Sequence, residues 1–171
     1  MTRAFALGTT LAGALLMWAP VDLPLPTLLV WNASASAPIG LYRVDPFAPL
    51  RIGDRVVVDP PGPVAEFLAA RGYLPKAVPL IKTVAALAPA RVCRDARIVS
   101  VEGRPVAMAR TDDRRGRPLP VWSGCRTLAA DEVFLLTADV PDSLDGRYFG
   151  PTSLTAIRGV ARPIRVREPA S

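Results

Sequence analysis

The residues that could do chemistry begin with Lys82, set in the apolar run Val78-Pro79-Leu80-Ile81-Lys82-Thr83-Val84-Ala85-Ala86-Leu87. A strand alternates its faces, so Leu80, Lys82 and Val84 share one side and the amine is held among hydrocarbon. Burial strips the hydration an ammonium needs and costs a neutral amine little, so the pKa falls and the amine can accept a proton. Composition isolates this residue further: the chain has nineteen Arg, two Lys (Lys76 and Lys82) and no His. Arginine keeps its proton, which leaves the lysines as candidate general bases. The alternative for Lys82 is a side chain that snorkels from a strand edge into water, and Lys76, between Pro75 and Ala77, is the second candidate base.

The stretch Asn32-Ala33-Ser34-Ala35-Ser36-Ala37 supports two readings. Small residues at alternate positions after an apolar segment are what a leader-cleaving peptidase cuts. Equally, Ser36 is a nucleophile that needs a base. Its Oγ would attack a peptide carbonyl while neutral Lys82 takes the proton and later hands it to the leaving amine. The Ser36 backbone N–H and the Ser34 hydroxyl would then face the oxyanion. Without His there is no Ser-His-Asp or Cys-His catalysis. Cys93 and Cys125 are too few for a four-ligand zinc site, so no metal or cofactor is expected. They form a disulfide in an oxidising compartment or remain two separate thiols.

The elements that position these groups follow from length and punctuation. A chain of 171 residues can bury a sizeable core, and nineteen Pro argue against a mostly helical body. The net charge of +6 comes with only 6% aromatic residues and scattered Arg, so an anionic membrane surface suits it at least as well as nucleic acid, and no nucleic-acid partner is expected. Arg3 precedes an uncharged segment, Ala4 to Ala19, which serves as a removed leader or as a retained membrane anchor with the remainder outside. Three regions result: 1–31 as the anchor or leader, 32–167 as the catalytic body and 168–171 as a tail. Strands are predicted at Pro38–Val44, Ile52–Val58, Arg97–Val101, Pro105–Ala109 and Val133–Thr137, with a last strand or two over Ala156–Arg167. A short helix is predicted over Pro63–Arg71, Glu102-Gly103 marks a hairpin, Thr111–Pro120 is a surface loop and Ala138–Ser153 is turn-rich.

Taken together, Ser34-x-Ser36, Gly53-Asp54-x-Val56-Val57, Ile81-Lys82 and Ser143-Leu144-Asp145-Gly146-Arg147-Tyr148-Phe149-Gly150 resemble the boxes of type I signal peptidases. Ser36-Ala37-Pro38-Ile39-Gly40-Leu41-Tyr42 is most similar to the family's TraF branch, which matures conjugative pilins. The resemblance implies a mostly β, signal-peptidase-like (LexA-like) catalytic domain behind an N-terminal apolar membrane helix. It implies Ser36 as nucleophile, Lys82 as base and Ser34 as oxyanion donor. Ser143 would orient the lysine amine, and Asp145, important for activity in that branch, would pair with Arg147 or otherwise hold its loop. The expected substrate is an exported precursor, a propilin first, cut outside the cytoplasmic membrane, with closure of the product into a ring as a further step. A general signal peptidase and a secreted, noncatalytic β binding module are the alternatives.

Overall fold

The computed structural model describes residues 28–167, and everything structural below concerns those residues. The anchor or leader expected over 1–27 and the tail from 168 lie outside them. Among the described residues no helix is long and apolar enough to cross a membrane.

The body is mostly β, built as two sheets. The larger has seven strands in the order β1-β2-β11-β3-β4-β9-β10. Its members are β1 (Leu29–Asn32), β2 (Ile39–Asp45), β3 (Arg55–Val58), β4 (Leu80–Leu87), β9 (Glu132–Leu135), β10 (Thr152–Ser153) and β11 (Ile157–Arg167). The smaller has four, in the order β7-β6-β5-β8, from β5 (Arg91–Asp95), β6 (Ile98–Val101), β7 (Arg104–Met108) and β8 (Gly124–Thr127). Two short helices interrupt them, α1 (Gly62–Ala70) and α2 (Gly146–Phe149).

Central strands read as apolar runs because both their faces are covered. On β4, Ile81 belongs to one cluster with Ala37, Tyr42, Val44, Val57 and Ala161. On its other face Leu80 and Val84 meet Val56, Val58, Val133 and Leu135. Val56 lies opposite Lys82 in the β3–β4 register, so the amine leaves the sheet on this second apolar face. A third cluster, with Ala86, Val92, Val99 and Phe134, packs the small sheet against the large one.

Several local expectations change in detail. β1 starts at Leu29 and pairs Asn32 with Gly40, so the strand straddles the 31/32 boundary and its first residues are part of the sheet. β5 and β8 were not legible as separate strands; they lie in register with Cys93 opposite Cys125, and these two form a disulfide. Glu102 and Gly103 both take positive φ, as a two-residue hairpin turn demands. Within the turn-rich Ala138–Ser153, Asp145-Gly146 opens α2, with Asp145 as its N-cap. The last strand is single and carries a bulge between Pro163 and Arg165.

Candidate active site

Lys82 is 4% exposed. Its Nζ donates to Ser143 Oγ at 2.9 Å. Around it runs a cleft lined by Val58, Val64, Leu80, Leu135, Leu144 and Phe149, with Asp145 at its wall. Its pKa is lowered from 10.5 to about 8. Burial is the main cause; the Asp145 carboxylate pulls the value back up and the Arg147 guanidinium adds a push downward. About a tenth of the amine is therefore neutral at pH 7. Lys76 is exposed, 4.0 Å from Glu66, and has none of this environment.

The loop that brings Ser143 to the lysine is closed by a buried ion pair. Asp145 Oδ1 accepts from Arg147 Nε at 2.9 Å and from Arg147 N at 3.1 Å, while Oδ2 accepts from Thr137 N at 3.0 Å and Arg147 Nη2 at 3.1 Å. The guanidinium also donates to Thr137 O at 2.7 Å and Pro141 O at 3.2 Å. Both ends of the segment carrying Ser143 are thus tied to one carboxylate–guanidinium fork, the geometry arginine favours. Next to Ser143, Asp142 is gripped by Arg110 at 2.9 Å and by Arg114 from the Thr111–Pro120 loop. That loop, which shows no chemistry in sequence, therefore braces the site.

Gly146 has to be glycine because of space. A Cβ there would lie 2.6 Å from Leu135 O and 2.8 Å from the Phe134 ring. Trp122, in edge contact with the Phe134 ring, donates from Nε1 to Gly146 O at 2.9 Å.

The serines form a second group, on the turn between β1 and β2. Ser34 Oγ and Ser36 Oγ are 3.0 Å apart. Ala37, the next residue, shares an apolar cluster with Ile81, the neighbour of Lys82. The structure therefore brings Lys82, Ser143, Asp145 and Arg147 into one bonded network and Ser34 with Ser36 into another. Among the described hydrogen bonds none joins Ser36 to Lys82. Cys93 and Cys125 lie on the small sheet, outside both groups.

Two residues that the motifs do not single out hold these groups. Asn32, buried at the end of β1, spends its side chain on the serine turn. The signal for it was present, since Asn two residues before Ser34 is an Asx-turn pattern. Arg94, on β5 beside Cys93, donates to Arg147 O at 2.7 Å from the small sheet. A buried Arg next to a cysteine in a short strand carries no comparable mark.

A buried amine bonded to a hydroxyl is an arrangement able to accept a proton, and the comparisons give the class of protein. The sequence profile described as Signal peptidase, peptidase S26 matches residues 2–165, and the chain belongs to this family. It is 34% identical over 148 residues to the conjugal transfer protein TraF of Agrobacterium fabrum, covering 81% of this chain and 82% of that one. A probable conjugal transfer protein TraF of Sinorhizobium fredii is 37% identical over 149 residues, 81% and 77% of the two chains. A plasmid transfer protein TraF of Escherichia coli is 34% identical over 148 residues, covering 78% and 80%. Within the family, then, the chain falls in the TraF branch.

Proposed function

We propose that the chain is a serine endopeptidase with a Ser36/Lys82 dyad that processes exported precursors, with a conjugative propilin as the substrate. The observation that carries this reading is the buried Lys82 amine, lowered to about 8 and held by Ser143, in a chain of the signal peptidase family. In the reaction, Ser36 Oγ leaves its contact with Ser34 and attacks the scissile carbonyl carbon while neutral Lys82 Nζ takes the hydroxyl proton. The oxyanion is met by the Ser36 N–H and the Ser34 hydroxyl. The tetrahedral species then expels the amine, which receives the proton from Lys82, and an acyl-enzyme remains. Water, deprotonated by the same amine, releases the product. An amine terminus of the substrate can open the acyl-enzyme in place of water, which gives a ring one water lighter than the linear product.

The substrate class is supported by the relatives, which are named for conjugal or plasmid transfer. Action at the outer face of a membrane is supported by the apolar segment Ala4 to Ala19 and by Leu28, Leu29 and Trp31, exposed where the chain enters β1.

The test is incubation of the purified full-length chain with candidate exported precursors, with the products read by mass spectrometry. Cleavage by the unaltered protein and none by Ser36→Ala is the expected result. Equal cleavage by both would end the serine assignment, and cleavage of general secretory precursors in preference to a propilin would move the reading to a housekeeping peptidase.

A further inference from the structure

We propose that Asn32 is a positioning residue of this site, closing the neck of the serine turn and holding the Ser34 hydroxyl until an oxyanion claims it; this rests on the dyad reading above. The turn runs from the end of β1 at Asn32 to the start of β2 at Ile39. Asn32 Nδ2 donates to Ser34 O at 2.9 Å, Ala37 O at 3.0 Å and Pro38 O at 3.1 Å. Its Oδ1 accepts from Ser34 N at 3.1 Å and Ser34 Oγ at 3.0 Å. The amide can sit only this way round, because the reverse would set oxygen against three carbonyls and nitrogen against an N–H. One buried side chain therefore ties the front of the turn to its back. Tyr42 adds a second tie, its hydroxyl donating to Pro38 O at 2.7 Å.

Proton counting gives the second half of the argument. Ser34 has one hydroxyl proton, and it goes to Asn32 Oδ1. In the contact between the two serines, Ser36 is then the donor and Ser34 the acceptor. The resting chain runs from Ser36 to Ser34 to Asn32, with the nucleophile's proton turned to Ser34 and the oxyanion donor occupied. When the substrate carbonyl oxygen gains charge, Ser34 Oγ can rotate its proton to it. Asn32 Oδ1 keeps the Ser34 N–H, so the exchange leaves no buried acceptor without a partner. Asn32 thus fixes the turn throughout the cycle and releases only the bond that the reaction needs.

The test uses the full-length chain and a precursor that it cleaves, comparing Ser34→Ala, Asn32→Ala, the double variant and Asn32→Asp. Removing one oxyanion donor costs about 10²-fold in kcat or more. A turn displaced by an ångström costs about as much. Asn32→Ala should therefore lower kcat ~30- to 100-fold with KM changed less than about threefold and the melting transition retained. Ser34→Ala should cost ~10²-fold in the unaltered chain and less than about threefold once Asn32 is gone. If Asn32→Ala does not fold, Asn32→Asp carries the same test; it keeps the size and the acceptor for Ser34 but offers the three carbonyls no N–H. Wild-type kcat in a folded Asn32 variant, or an undiminished Ser34→Ala effect beside it, overturns the proposal while leaving the peptidase intact. No cleavage of any precursor by the unaltered chain removes the peptidase reading itself, and this one with it.

Discussion

Lys82 Nζ donates to Ser143 Oγ at 2.9 Å, joining a central strand to a loop 61 residues further along the chain. The amine has little else to hold it, since the face it shares with Leu80, Val84 and Leu135 is hydrocarbon. A flexible four-carbon stem ending in an apolar cleft would wander among rotamers, and one hydroxyl selects the one that points the amine along the loop. Ser143→Ala should therefore lower kcat by ~10- to 100-fold with little change in KM, because the base is still present but poorly aimed. Steady-state kinetics on a cleavable precursor checks this. An unchanged kcat would mean that the bond is only a structural contact.

The lowered pKa of Lys82 makes a prediction for both rate and stability. On the proposed dyad the amine must be neutral to act, so kcat/KM should climb about tenfold per pH unit below about 8 and level off above it. For stability the direction follows from proton counts. Between about 8 and 10.5 the unfolded chain holds a proton that the folded chain has released, so the unfolding free energy rises with pH through that window, by ~3 kcal/mol for this group. Below about 8 both states are protonated and the contribution is flat. Lys82→Met should abolish cleavage and remove this part of the pH dependence, which paired urea titrations at pH 7.5 to 10 can resolve. Lys82→Arg should fold less well and cleave nothing, since a guanidinium keeps its proton.

The buried amine and the loop bonded to it were legible in the sequence for chemical reasons, and the serine turn only in part. A single amine in an apolar run, in a chain that otherwise uses Arg, is an anomaly that composition exposes. Asp145 and Arg147 are two residues apart and meet in a local fork that spacing can suggest. The paired strands β5 and β8 were not legible because β5 has only the adjacent Val92 and Cys93 between Arg91 and Arg94, too short a run to show a period, and β8 is exposed along its length. Asn32 was legible only in its local half: the Asx turn onto Ser34 has a pattern, but its bonds to Ala37 and Pro38 depend on where the chain returns, which no run of Ala and Ser reveals. Within the turn-rich stretch the short helix at Gly146 is capped by Asp145, whose carboxylate accepts from Arg147 N and Thr137 N.

The disulfide should matter to stability more than to chemistry. Cys93 and Cys125 are 32 residues apart in sequence, and closing such a loop in the unfolded chain is worth ~3 to 4 kcal/mol in the chain-entropy picture. Among the described hydrogen bonds, those of Ser34, Ser36 and Lys82 run to Asn32, to each other and to Ser143, none to either cysteine. The Cys93→Ser, Cys125→Ser double variant should lose stability of that order in urea unfolding while keeping wild-type kcat well below its melting range. A large kcat loss in a fully folded double variant would show that the small sheet governs the site, with Arg94, adjacent to Cys93 and bonded to Arg147 O, as the connection.

Gly146→Ala tests how tightly the loop is packed. The new methyl would meet backbone at Leu135 O and the Phe134 ring, neither of which can move without displacing β9. Overpacking of this kind costs ~1 to 3 kcal/mol. Because Asp145 lies immediately before Gly146 and Ser143 three residues before it, a shift here also moves the hydroxyl that holds Lys82. Both melting temperature and kcat should fall together, and a smaller side chain at Phe134 should relieve only the ring part of the clash, leaving the contact with Leu135 O.

The Asp145–Arg147 pair separates what holds the loop from what performs the chemistry. Both side chains are essentially buried, at 0% and 1% exposure, so removing one leaves the other charged and without a counter-ion. Asp145→Ala should therefore cost ~3 to 5 kcal/mol, more than a lost hydrogen bond explains. Removing both charges, as in Asp145→Ala with Arg147→Met, takes away the stranded guanidinium and should recover part of that stability. Their effects on Lys82 oppose each other, the carboxylate raising its pKa and the guanidinium lowering it, so the double variant should keep the rise of activity near pH 8 that burial sets. Its kcat should remain low, because Thr137 N and the Pro141 carbonyl have lost their anchors and Ser143 is no longer held against the amine. A double variant with restored stability and full kcat would show that the loop keeps its shape without the fork. A profile moved far from pH 8 would show that these charges, and not burial, set the base.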